Sequence, residues 1–140
     1  MPFAFFDHTG DIGLRLSAPT LEGLFATAAD GLFATLTNPD EIEVRQDGPV
    51  QLTAGDVDLL LVDWLSELLF RFERDSFLVR AATVVVRRDG GRCHLDGTIA
   101  GEPFDAARHH IKVLVKAVTY HGLRVTPTAD GWAAEVILDV

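Results

Sequence analysis

The chain has 140 residues, 48% of them hydrophobic and nine of them Phe, which is enough apolar material for a packed core and excludes an intrinsically disordered chain. Twelve Lys and Arg against 21 Asp and Glu leave a net charge of −9, which argues against nonspecific binding to nucleic acid or anionic lipid, since both depend on a cationic face. No apolar run approaches the roughly 18 residues of a membrane helix, the start Met1 to Asp7 lacks a basic region ahead of an apolar stretch, and the one Cys, Cys93, forbids an intrachain disulfide; the expectation is a cytoplasmic protein with one domain over residues 1–140 and no membrane contact.

Taken in chain order, Phe3 to Phe6 reads as a strand. Ile12, Leu14, Leu16 and Ala18 alternate with Gly13, Arg15 and Ser17, the period of a half-buried partner strand. Thr20 is a helix N-cap, and Leu21, Leu24, Phe25, Ala28, Leu32 and Leu36 recur at helical spacing until Asn38-Pro39 stops them. Ile42 and Val44, then Val50 and Leu52, flank Asp47-Gly48 and predict two short strands joined by a hairpin turn. Asp56 to Asp75 is the clearest helix, with an apolar stripe from Val57 through Trp64 to Phe72 that Leu59, Val62, Leu69 and Phe70 widen beyond one face.

Leu78 to Arg88 and Arg92 to Ala100 form a long hairpin across Asp89-Gly90-Gly91, with Cys93, Leu95 and Ile99 on one face of the return strand. Residues 106–115 fit neither a helix nor a strand decisively. Tyr120 to Thr126 and Trp132 to Leu138 make a last hairpin. The fold class expected is α+β: a largely antiparallel sheet of hairpins packed against two main helices.

Charge is uneven. Residues 106–129 hold no acid but do hold Arg108, Lys112, Lys116, Arg124, His109, His110 and His121, which suits either a solvated polar face or a local docking surface. Several enzyme templates are missing. There is no phosphate loop ending in Lys-Ser or Lys-Thr, no G-x-G-x-x-G, no nucleophile elbow and no paired Cys, and the His spacings fit no standard zinc pattern. Asp7-His8-Thr9-Gly10-Asp11 is either an Asx/Gly turn or half of an oxygen-rich cation site. Asp139 and the terminal carboxylate of Val140 could complete the site, since carboxylates are hard ligands for Ca²⁺ or Mg²⁺.

Five segments then carry a resemblance: Asp7-His8-Thr9-Gly10-Asp11-Ile12-Gly13; Trp64-Leu65-Ser66-Glu67-Leu68-Leu69-Phe70; Gly101-Glu102 with Asp105 and Arg108-His109; Val115-Lys116-Ala117-Val118-Thr119-Tyr120-His121; and Gly131-Trp132 with Asp139-Val140. In this order and at these distances they resemble the archease family. The resemblance implies a non-enzymatic activator of the GTP-dependent RtcB-type RNA ligase of tRNA splicing and RNA repair, one that promotes guanylylation and multiple turnover with a bound divalent cation. Its ligands would be Asp11, Asp139 and Val140, with Ca²⁺ preferred over Mg²⁺. Asp7, His8, Arg108, His109, Lys116 and His121 would dock the partner or neighbour the site, and no stable direct binding of nucleic acid is expected.

The family pattern is broken at Gly10, where Ala is usual, and at His110 and Leu114, where more polar or acidic residues are expected. Two other functions fit less of the sequence. One is a chaperone or modulator of another RNA enzyme, such as a tRNA methyltransferase. The other is a metal-dependent hydrolase using Asp11 and Asp139, with His8 or His121 as general base.

Overall fold

A computed structural model describes residues 3–8 and 10–140, without the side chains of Asp7 and His8. Eight strands and two α-helices follow one another as β1 (Phe3–His8), β2 (Asp11–Ala18), α1 (Leu21–Leu36), β3 (Gln46–Ala54), α2 (Val57–Asp75), β4 (Phe77–Asp89), β5 (Arg92–Pro103), β6 (Ala117–Val118), β7 (Arg124–Thr128) and β8 (Gly131–Asp139). A short 3-10 turn, Pro39–Glu41, follows α1. The class is α+β with antiparallel pairing throughout, as expected, but the strands form two sheets rather than one. One runs β1-β2-β8-β6 with β7 also on β8, and the other runs β3-β5-β4.

Both helices lie between the sheets. On one side α1 meets β1, β2 and β8, and on the other β4; α2 meets β6 and β7 on one side and β3, β4 and β5 on the other. This explains why eleven of the sixteen residues of α1 are buried, since a helix covered on two sides cannot be polar on more than a narrow stripe. One continuous core joins both sheets and both helices. At its centre Trp64 is fully buried, and its indole N–H donates to the Phe25 carbonyl at 2.9 Å, fixing α2 against α1. None of the described helices is long and apolar enough to cross a membrane.

The caps follow the sequence. The Thr20 hydroxyl accepts from Gly23 N–H at 3.0 Å, and the Asp56 carboxylate accepts from Leu59 N–H at 2.8 Å. The β4–β5 hairpin turns through Gly90 and Gly91, both at positive φ (58° and 78°), the backbone a tight two-residue turn demands. Gly101 answers a different need. A Cβ there would lie 1.8 Å from the Leu78 carbonyl oxygen, where β4 carries a bulge between Val79 and Ala81.

Two expectations are corrected. Asp47-Gly48 is not a hairpin turn: residues 46–54 are one continuous strand paired with β5 along its whole length, and Ile42 to Arg45 is not a strand at all. A turn-forming dipeptide lost here to nine residues of pairing with β5, and Pro49 is tolerated because β3 is an edge strand. Residues 106–116 are neither helix nor strand. They are held by tertiary bonds, Lys112 N–H to the Leu36 carbonyl at 2.8 Å and the Thr37 hydroxyl to the His110 carbonyl at 2.6 Å.

Candidate functional site

Strand register brings Asp11 and Asp139 together. In the β2–β8 pair Asp11, the first residue of one strand, stands opposite Asp139, the last of the other. Directly opposed residues on antiparallel strands share a face, with Cβ atoms about 4.5–5.5 Å apart. The face is the one turned away from the helices, because Leu14, Leu16, Val136 and Leu138 alternate into the core. Further along that outer face Arg15 Nε donates to Glu135 Oε2 at 2.7 Å, so one opposed pair joins unlike charges while Asp11 and Asp139 join like ones.

The other flank of Asp139 is built by β6. Ala117 stands opposite it, and Lys116 N–H donates to the Asp139 carbonyl at 2.7 Å. Val140 is half-buried against the core beside it. Between β1 and β2 the chain turns at Gly10 with φ +73°, in the left-handed region where glycine carries no steric cost. A Cβ on Gly10 would meet nothing within 4 Å, so conformation and not space is what glycine serves there. Two facing carboxylates are hard oxygen donors whose mutual repulsion a divalent cation would relieve, so the residues fit such an ion. Among the described residues no three His, Cys, Asp or Glu side chains stand together.

The most developed polar cluster lies elsewhere, around Glu102 at the end of β5. Its side chain is 2% exposed. Arg108 forks onto it, Nη1 to Oε2 at 3.0 Å and Nη2 to Oε1 at 2.5 Å, and Glu43 N–H donates to Oε2 at 2.7 Å. His109 Nε2 lies 3.0 Å from the same oxygen, while His109 Nδ1 accepts from Asp105 N–H at 2.8 Å. The Arg108 bonds, with those from Glu43 and His109, outweigh burial and hold the Glu102 carboxyl down to about 2, and Glu102 in turn pushes the Arg108 guanidinium up.

This cluster holds two of the residues expected to dock a partner or to neighbour the site. His109 is fully buried and turned onto Glu102, so it presents no ring to a partner, and Arg108 is half-buried in the same network. The acid-free stretch 106–129 is therefore not acid-free in space. Glu102 and Asp105 meet Arg108, Glu41 lies 3.9 Å from His110, and Glu135 stands opposite Arg124. Among the described residues Lys112 and Lys116 form no ion pair, and both are exposed, as is His121. The side chains of Asp7 and His8 lie outside the described residues; their backbone pairs with Ile12 and Asp11. Sequence spacing could not single out Glu102, because its partners six and seven residues on reach it through an irregular loop.

Comparison with known proteins agrees across the whole chain. The model of the Archease protein family (MTH1598/TM1083) matches residues 3–140. The chain is 36% identical over 140 residues to protein archease of Methanopyrus kandleri, covering 100% of each, and 35% identical over 139 residues to protein archease of Methanosarcina barkeri, covering 99% of this chain and 95% of that one. The solution structure of Methanobacterium thermoautotrophicum protein 1598 superposes with a TM-score of 0.82 at 33% identity, covering 99% of both chains. With matching sequence, element order and sheet architecture from one end to the other, the chain belongs to the archease family.

Proposed function

We propose that this chain is an accessory protein, not itself an enzyme, that activates a GTP-dependent RtcB-type RNA ligase by promoting its guanylylation and repeated turnover. Family membership supports the reading, and one geometric observation carries it: Asp11 stands opposite Asp139, the two side chains that the resemblance makes cation ligands. The ion would be held by those carboxylates with the terminal carboxylate of Val140, and an all-oxygen set suits Ca²⁺ first and Mg²⁺ next. Bound there, the ion supplies a localised positive charge on an otherwise acidic body.

The chain's own residues do the positioning. Asp11 is anchored between β1 and β8, and Lys116 N–H ties the Asp139 main chain to the neighbouring strand. Around this end Lys112 and Lys116 are exposed cations and Tyr120 is 58% exposed, a mixed surface suited to a protein partner.

The test is the rate of covalent ligase–GMP formation and the number of turnovers, with and without this chain, using a ligase from the same source. The expected result is acceleration that Asp11→Ala and Asp139→Ala remove, each variant shown to be folded by circular dichroism. Full acceleration by either variant overturns the role of the cation, and no acceleration of a competent ligase overturns the accessory role.

A further inference from the structure

Asp139 is the last residue of β8, and the end of a chain frays unless something ties it down. On one edge β8 is held by β2 along its length. On the other, β7 covers Gly131 to Glu135, and beyond it the support comes from Lys116 to Thr119. Ala117 and Val118 pair with Asp139 and Leu138, and the N–H groups of Lys116 and Thr119 donate to the Asp139 and Ile137 carbonyls at 2.7 and 3.0 Å. A strand of two residues does not place itself, because its few bonds must offset the ordering of the irregular chain that leads into it.

That chain, residues 104–116, is ordered by contacts at its start, middle and end. At the start Arg108 and His109 close on Glu102, and the Phe104 ring packs against the His109 imidazole with centroids 5.9 Å apart. In the middle Thr37, fully buried at the end of α1, donates its hydroxyl to the His110 carbonyl at 2.6 Å, and Lys112 N–H donates to the Leu36 carbonyl at 2.8 Å. At the end Val115 is buried in the core, one residue before Lys116 reaches Asp139. The first of these anchors is made of charge. Glu102 accepts from Arg108, His109 and the Glu43 N–H, and Arg45 Nε lies 3.4 Å from its Oε1. A buried carboxylate occupied so fully has one favourable arrangement, since displacement of its partners strands a charge away from water.

We infer that Glu102 is a positioning residue for the far end of the other sheet: by holding Arg108 and His109 it seats the loop on α1 and β6 on β8, and so fixes Asp139 and Val140 in place beside Asp11. The inference rests on the reading of Asp11, Asp139 and Val140 as cation ligands. Glu102 acts through the chain from Arg108 to Lys116 and not by contact with the ion. The loop it anchors ends on the last residues of β8, where those ligands stand, and the Lys116 N–H bonds to the main chain of Asp139 itself. Release of the clamp frees the loop at its start, loosens β6, and leaves Asp139 held on the β2 side alone.

Native-state amide exchange of the full chain reads this coupling with no metal present. Glu102→Gln should speed exchange at Lys116 and Thr119 about tenfold or more, the effect of losing a hydrogen bond to a charged group. Arg108→Lys, which keeps the charge but loses the fork, should do the same to a smaller extent, and it carries the test should Glu102→Gln not fold. Trp64→Phe, which destabilises the joint between the helices, is the control. The inference is overturned if both clamp variants leave these two amides at the wild-type rate, or if Trp64→Phe speeds them as much for the same loss of global stability. Calorimetric titration with calcium chloride reads the consequence at the site. Glu102→Gln or Arg108→Lys should weaken Ca²⁺ binding about threefold to tenfold, while Trp64→Phe leaves it unchanged; a Ca²⁺ affinity that neither clamp variant alters overturns the positioning role. A wild-type chain that binds no Ca²⁺ overturns the cation reading instead, and the amide rates then decide whether Glu102 holds the end of β8.

Discussion

His109 Nε2 faces Glu102 Oε2 at 3.0 Å while its other ring nitrogen accepts the Asp105 N–H at 2.8 Å, and together these two contacts fix the tautomer. Nδ1 must be bare to accept, so Nε2 carries the hydrogen and donates it to the carboxylate. Glu102 thus receives a neutral His donor, a forked Arg108 and a main-chain N–H in a site closed to solvent, and the loop that leads to β6 is pinned to the end of β5.

The first prediction is the acid limit of this clamp. The Glu102 carboxyl is held at about 2 in the folded chain against an ordinary 4.5, so below about pH 4.5 the unfolded chain binds more protons than the folded one, and stability falls as pH falls. The contribution is complete above 4.5 and lost on the way down to about 2. Urea unfolding of wild type and Glu102→Gln should therefore differ most near neutrality and converge as the pH approaches 2. A gap independent of pH would mean that the charge of Glu102 plays no part in holding the loop.

The second prediction concerns the joint between the helices. Trp64 combines complete burial with its hydrogen bond to the Phe25 carbonyl. Trp64→Ala should cost about 3–5 kcal/mol, whereas Trp64→Phe keeps most of the apolar area but loses the donor and should cost about 1–3 kcal/mol. Equilibrium denaturation with both variants separates packing from the hydrogen bond. Equal losses would show that the apolar area retained by Phe adds nothing, and no loss in Trp64→Phe would show that the indole N–H adds nothing.

Two glycines supply a third prediction because they are glycine for opposite reasons. A Cβ at Gly101 collides with the Leu78 carbonyl at 1.8 Å, so Gly101→Ala must displace the β4 bulge and should cost more than about 2 kcal/mol. At Gly10 a Cβ meets nothing within 4 Å and only the positive φ resists it, so Gly10→Ala should cost about 1 kcal/mol. Thermal unfolding of the two variants gives the comparison, and a Gly10→Ala loss as large as that of Gly101→Ala would contradict the distinction.

These residues also show what the sequence could and could not convey. Thr20, Asp56 and the Gly90-Gly91 turn act within a few residues of themselves, and their elements stand where periodicity and capping place them. Asp47-Gly48 misled because its local turn preference is overruled by β5, some fifty residues away. The division into two sheets escaped for the same reason, since alternation marks a buried face without naming the partner that buries it. The candidate site divides likewise. Asp11 and Asp139 are recognisable as oxygen donors, but their direct opposition is a matter of register, and the burial of His109 depends on a loop with no period to read.

The last prediction turns the opposition of Asp11 and Asp139 into a measurement that needs no ligase. Like charges directly opposed across strands destabilise by about 0.2–1 kcal/mol, so in metal-free buffer Asp139→Asn should be as stable as wild type or slightly more so. Addition of Ca²⁺ should reverse the order. An ion that binds only the folded chain stabilises it by about 2.7 kcal/mol at a hundred times its dissociation constant, and Asp139→Asn, with one of the two facing carboxylates made neutral, should lose most of that gain. The check is the unfolding midpoint of both proteins against Ca²⁺ and, separately, Mg²⁺, at constant ionic strength so that screening is not mistaken for binding. A rise shared equally by wild type and Asp139→Asn would place the ion elsewhere. No rise with either metal would leave the pair as two charges that the fold tolerates, and would detach any activating role of this end of the sheet from a resident cation.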